Sequence, residues 1–139
     1  MNIIIDTNVI YSALRSQKGI SHKLLLMLGD NKYQAYLTAP LYLEYEEQLS
    51  RLVQSGFINS DVMNDVLDYV CGSMILSQVY FLWRPFLKDM DDDMVLEAAV
   101  ASNCEYIVTH NVKDFKNIEK FGIEAIKPID FYKKLEKSL

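Results

Sequence analysis

The fold this sequence predicts is a three-layer α/β/α sandwich around a central parallel sheet of about five strands. Three observations predict it. Short apolar stretches of strand character alternate with longer stretches of helical periodicity along the whole chain, a pattern that implies crossover connections and therefore parallel pairing. Half of the 139 residues are hydrophobic, enough to fill one core. No repeat, low-complexity segment or linker breaks the alternation, so residues 1–139 read as a single domain.

Each element has its own justification. Ile3 to Ile5 read as the first strand, and Val9 to about Arg15 as the first helix. "ISHKLLLMLGD" reads as a second helix, with Ser21 as N-cap and Gly29 as its stop. "YQAYLT" is expected as a strand. Pro40 then stands where proline is tolerated, in the first turn of a helix that runs to about Ser55 and is ended by Gly56. A further helix is expected from Ser60 to Cys71, and "SQVYFL" reads as the third strand. The chain continues with "DDDMVLEAAVASN" as a helix, "YIVTH" and "IEAI" as strands, and a last helix from Pro128 onward.

Composition excludes several classes. No run approaches the roughly 18 to 20 apolar residues of a membrane span, and Met1 leads straight into the first strand without a basic stretch and cleavage site. A cytoplasmic protein with no membrane association is the expectation. Cys71 and Cys104 lack the spacing of a zinc site and read as separate thiols. The formal net charge of −5 argues against a protein that coats nucleic acid with a basic surface. It leaves room for a nuclease, because local basic patches and bound cations can reverse the field at a carboxylate-rich site.

The chemistry lies in the acids. Asp6 ends the first strand, and in open parallel sheets ligands bind beyond the carboxyl ends of strands where the strand order reverses. A carboxylate there also suits the N-cap of the next helix, with Thr7 and Asn8 making local hydrogen bonds. Glu44 shares a helical face with Leu41, Tyr45, Gln48, Leu49 and Leu52, and so calls for a partner, whether a cationic side chain or a bound ion. "KDMDDDMV" crowds Asp89, Asp91, Asp92 and Asp93 at a helix mouth. Two unit charges about 5 Å apart at an effective dielectric near 20 repel by roughly 3 kcal/mol, whereas an N-cap is worth about 1 kcal/mol. Several acids converging inside the fold are therefore most simply compensated by a divalent cation. Asp93 and Glu97, four apart, share a face, while Asp89 and Asp91 read as solvated. Oxygen-only ligands suit magnesium or manganese, and His22 and His110 are not spaced as a ligand pair.

"IIIDTNVI", the helical Glu44 and "DDDMVLEAAVASNCEYIVTHNVKDF" together resemble the PIN domain, in particular the toxins of bacterial toxin–antitoxin systems of the VapC type. The resemblance covers essentially the whole chain. It implies a metal-dependent endoribonuclease that hydrolyses phosphodiester bonds of single-stranded RNA, with Mg2+ or Mn2+ as cofactor and a cognate antitoxin as partner. Carried over by position, it places the catalytic acids on Asp6, Glu44, Asp93 and Asp114, of which Asp6, Glu44 and Asp93 hold the metal. Thr7, Asn8, Thr109, Asn111 and Glu97 fall where ligands and water are positioned. The family's fourth acidic position falls on Asn111, and an amide brings no charge, so one tightly held ion is implied rather than two. Arg15, Lys18, Lys23 and Lys113 are the nearest cations in sequence for RNA phosphates.

Two other classes share part of this pattern. A receiver-like phosphoacceptor also gathers acids around magnesium, but "VYFLWRPF" offers no phosphorylatable aspartate after a central strand. A catalytically inactive PIN-like binding module is favoured by Asn111 and disfavoured by Asp6, Glu44 and Asp93. Nine tyrosines and six phenylalanines in so short a chain further predict a homodimer.

Overall fold

The computed structural model describes residues 1–79 and 86–137. Five parallel strands, β1 (Asn2–Ile5), β2 (Gln34–Leu37), β3 (Ile75–Leu76), β4 (Tyr106–Val108) and β5 (Glu124–Ile126), form one sheet in the order β3-β2-β1-β4-β5. Six α-helices connect or flank them among the described residues: α1 (Thr7–Arg15), α2 (Ile20–Leu26), α3 (Ala39–Gln54), α4 (Ser60–Ser73), α5 (Met90–Ala101) and α6 (Pro128–Lys137). Strand order runs outward from β1 in both directions. The reversal therefore falls between β1 and β4, which pair with Ile3 opposite Tyr106 and Ile5 opposite Val108.

The three layers follow from strand alternation. Ile3, Ile5 and Val108 face Val9 and Ile10 of α1, Leu24 and Leu25 of α2 and Phe131 of α6. On the other face α5 packs over β1, β2 and β4, and α3 packs against α5, α4 and α1. The central strands are buried on both faces, which is why Ile3, Ile4 and Ile5 read as a continuous apolar run. Thr38 caps α3 by accepting from the Leu41 amide, Pro40 sits in the first turn, and Leu41, Tyr45, Leu49 and Leu52 are fully buried.

Three local expectations differ. The third strand is Ile75–Leu76 rather than 77–82; the Ser77 amide still donates to the Leu37 carbonyl at 2.8 Å, the last bond between these strands among the described residues. Residues 80–82 of that expectation lie outside the described residues. An edge strand of two exposed residues buries neither face, so its sequence carries no alternation to read. The second helix ends at Leu26 and tightens into a 3-10 turn, Met27–Asp30, whose exit is Asn31 in the left-handed conformation (φ 57°) rather than Gly29. Its N-cap is Gly19, not Ser21. Ser21 is buried inside the helix, and its hydroxyl meets His110 Nε2 at 3.1 Å. Cys71 is exposed, Cys104 is buried, and both are free thiols.

Candidate active site: an acidic cleft at the switch point

The Asp6 backbone N–H donates to the Val108 carbonyl at 2.9 Å, so the last step of the β1–β4 ladder fixes the residue that carries the carboxylate. Asp6 is the N-cap of α1. One carboxylate oxygen accepts from the Thr7 amide at 2.7 Å. The other accepts from the Thr109 hydroxyl at 2.8 Å and the Asn8 side-chain amide at 3.3 Å. Asn8 also donates to Thr109 Oγ1 and accepts from the His110 amide, while Thr109 Oγ1 accepts from the Asn111 amide. "DTN" after β1 and "THN" after β4 are thus two halves of one polar clasp across the switch point.

Helix α3 is tied to the same spot. The hydroxyl of fully buried Tyr45 donates to the Ile5 carbonyl, one residue before Asp6. Burial first, then the Asp6 charge, pushes the Tyr45 phenol well above its ordinary value, so it stays a donor. This positioning role was hidden in the sequence, where Tyr45 reads simply as core. One residue earlier, Glu44 is half-buried at the cleft, and Gln48 Nε2 reaches its carboxylate at 3.5 Å.

Helix α5 sorts its acids by turn. Asp89 is the N-cap and accepts from the Asp91 amide at 2.8 Å. Asp89, Asp91 and Asp92 line the cleft. Asp93, the expected third acid, does not: it is fully buried, and its carboxylate accepts from the Phe86 and Leu87 amides, the latter at 2.7 Å. Its charge is spent holding the chain that leads into α5. Glu97 does share a buried face with Asp93 and likewise lies outside the cleft. The expectation that these two are helical neighbours holds, yet their face is interior. Asp92, one residue away and about 100° around the helix, is the carboxylate that the cleft receives.

The cleft, about 280 Å³, is lined by Asp6, Thr7, Asn8, Tyr11, Glu44, Gln48, Asp89, Asp91, Asp92, Met94, Val95, Asn111 and Asp114. Asn111 caps a 3-10 turn, Val112–Asp114, which carries Asp114 to the rim. Of the cations expected to meet phosphate, Arg15, Lys18, Lys23 and Lys113 all lie outside the lining. Arg15 stacks over Phe57 at 4.7 Å and Tyr11 at 5.8 Å, and Lys113 lines an adjoining groove.

The crowding leaves an electrostatic mark. Asp92 is pushed up to about 7, by burial first and then by Asp6, Asp89, Asp114 and Asp91. Asp6 is raised by burial, against the opposing hydrogen bonds from Thr109 and Thr7, and Asp114 and Asp89 raise it further. Burial, then Asp91 and Glu47, raises Glu44. Among the described residues the one salt bridge is the exposed pair Arg51–Glu47, so none of their cationic side chains neutralises the cleft by an ion pair. Thr7 Oγ1 is buried in the same wall without a hydrogen-bond partner. Oxygen donors, excess negative charge and a spare hydroxyl fit a hard divalent cation. Among the described residues no three acidic, histidine or cysteine side chains already form a closed ligand set. An open ring of acids is the arrangement magnesium tolerates, since it usually keeps several waters.

Fold and site together define an α/β protein with an acidic, cation-fitting cleft where its parallel sheet reverses order. The PIN domain family model matches residues 2–113, and the chain belongs to that family. Among solved structures it is similar to a chain of VapBC2 from Rickettsia felis bound to a DNA fragment from their promoter, at 16% identity and a TM-score of 0.63, covering 91% of this chain and 98% of that one. A chain of FitAB bound to the IR36 DNA fragment aligns at 18% identity and a TM-score of 0.54, covering 91% and 94%. No curated protein sequence gives a significant match. Among the described residues no helix is long and apolar enough to cross a membrane.

Proposed function

We propose that the chain is a metal-dependent endoribonuclease acting on single-stranded RNA, the toxin of a toxin–antitoxin pair. One observation carries the reading: Asp6, Glu44, Asp92 and Asp114, with Asn111 and the spare Thr7 hydroxyl, meet in one cleft at the switch point. Asp6, Glu44 and Asp92 would hold Mg2+ or Mn2+, so Asp92 takes the place that the sequence suggested for Asp93. A divalent cation bound there supplies the Lewis acidity that activates water and offsets charge on the phosphate. Thr109, Asn8 and the Thr7 amide aim the Asp6 carboxylate, because all three donate to it, and the Thr109 and Thr7 bonds oppose the rise that burial imposes on it. Asp114 and Asn111 stand at the rim, where they can orient water. Tyr45 sets the spacing between Asp6 and Glu44 through its bond to the Ile5 carbonyl.

The antitoxin partner rests on family membership and on the VapBC2 and FitAB complexes to which the fold is similar. A homodimer is supported by exposed apolar side chains, with Leu76 72% and Leu43 60% accessible. The test of the activity is end-group analysis of a short single-stranded RNA, with magnesium or manganese, beside an EDTA control and Asp6→Asn. The expected products carry a 5′-phosphate and a 3′-hydroxyl, and both controls leave the RNA whole. Cyclic phosphate ends, or undiminished cutting in EDTA, refute the mechanism. Cation binding with no cutting under either metal would make the chain a binding module instead.

A further inference from the structure

Beside the acidic cleft lies a second groove of opposite character. It measures about 680 Å³ and is lined by Lys88, Lys113, Lys116 and Lys120, with Phe86, Leu87 and Asn117. Asp89, Asp92 and Asp114 complete it, and the same three side chains line the cleft, so the two depressions share a wall. The lysines come from two separate segments. Lys88 lies in the turn that Asp93 pins ahead of α5, and the other three belong to the stretch after β4, around the 3-10 turns Val112–Asp114 and Ile118–Phe121. All four are exposed, and none is in the one salt bridge among the described residues. Lys120 Nζ is held 4.5 Å from the Phe86 ring centre, which keeps one ammonium at the groove.

Four lysines lining one groove stand out in a chain with a formal net charge of −5. A polyanion repelled by the protein at large is drawn to such a local reversal of field. We infer that this lysine groove is the bed for the phosphate backbone on one flank of the scissile bond, delivering the strand over Asp89, Asp92 and Asp114 into the cleft. The inference rests on the nuclease reading for what happens at the cleft, and on the groove itself for binding. Lys113 was visible from the sequence as a phosphate cation, but Lys88, Lys116 and Lys120 were not, because only folding brings residue 88 beside residues 113–120. The shared acidic wall adds a condition. A strand in the groove meets those carboxylates, so a divalent cation in the cleft strengthens binding by removing the repulsion.

The test measures binding and cutting separately. A fluorescently labelled single-stranded RNA is titrated in magnesium with full-length Asp6→Asn protein, its integrity checked on a gel, over a series of salt concentrations. Lys113→Ala, Lys116→Ala and Lys120→Ala are combined on that background. A second set carries arginine at the three positions, and a third carries alanine at Lys32, Lys133 and Lys137, exposed lysines outside both depressions. The groove alanines are expected to weaken binding at least about tenfold, and to flatten the slope of log K against log salt by about two. Arginine restores both, and the outlying alanines change neither. Unchanged binding by the groove alanines, an equal loss in the outlying set, or no RNA binding by the background protein overturns the inference. Correct end groups from the unmodified chain with normal binding by the groove alanines would leave the nuclease standing and the groove refuted. A groove-dependent bound complex with no cutting by the unmodified chain would do the reverse.

Discussion

Asp6 and Asp92 face each other across one cleft and are built in opposite ways. Every oxygen of Asp6 is held, by the Thr7 amide, the Thr109 hydroxyl and the Asn8 amide, and its backbone is locked into the ladder through Val108. Asp92 has no comparable clasp among the described residues; it is surrounded by Asp6, Asp89, Asp114 and Asp91, and holds its proton up to about 7. The first is an anchor whose geometry is fixed before any ligand arrives. The second, in the proposed site, is a reserve charge that a bound cation would release by displacing its proton. If the proposed ion binds here, one acid would set where it sits and the other how strongly pH controls it.

The largest effect is expected at the anchor. Asp6→Asn preserves shape and removes charge, and should lower RNA cleavage by about 1000-fold with the fold intact, measured by single-turnover cleavage beside circular dichroism. Loss of less than tenfold would take Asp6 out of the chemistry. Loosening the clasp is expected to do less. Thr109→Val deletes the donor to Asp6 Oδ2 and the acceptor of the Asn8 and Asn111 N–H groups, at a fully buried site. Its activity should fall about 10- to 100-fold and its stability by about 1–3 kcal/mol. Urea melts and cleavage assays on the same preparation separate the two.

The reserve acid should show itself in pH dependence. Without cation, the folded state keeps the Asp92 proton up to about 7, while the unfolded chain loses it near the ordinary aspartate value of 3.8. The folded state then binds more protons across that window, so this group lowers stability as pH rises from about 4 to about 7. After screening of the partly exposed carboxyl, the contribution is about 1 kcal/mol. Asp92→Asn should flatten that part of the curve in EDTA and leave the protein slightly more stable at pH 8. A curve of unchanged shape would show that Asp92 is not the group titrating there.

Much of this was readable from the chain, and the failures have physical causes. Asp6 was legible because a buried strand that stops at a carboxylate is unusual, and Glu44 because a charged residue adjoined a clean apolar stripe whose members Leu41, Tyr45, Leu49 and Leu52 are fully buried. Thr109 and Asn111, carried over by the resemblance, stand after β4 beside the carboxyl end of β1, where the sheet order reverses. The sequence pointed to Asp93 where Asp92 lines the cleft, because Asp93, Val95, Leu96, Glu97, Ala98 and Ala99 are all buried and wrap around α5, which leaves no polar stripe to show its direction. Only tertiary structure decides which aspartate meets the cleft and which one meets the amides of residues 86 and 87. The third strand was displaced for a similar reason, since Ile75 and Leu76 at the sheet edge are both exposed and carry no alternation.

The two adjacent aspartates also provide the most direct test of the account. Isothermal titration of manganese into the unmodified chain, Asp92→Asn and Asp93→Asn, each with its thermal melt, compares a residue that lines the cleft with one that pins a backbone. Asp92→Asn should bind the ion at least about tenfold more weakly with its melting temperature maintained or raised. Asp93→Asn should bind within about threefold of the unmodified chain, yet melt lower, because the part-buried Phe86 amide and the buried Leu87 amide lose a carboxylate acceptor worth about 1–3 kcal/mol. The opposite pattern, with manganese affinity lost in Asp93→Asn and kept in Asp92→Asn, would contradict the site described here.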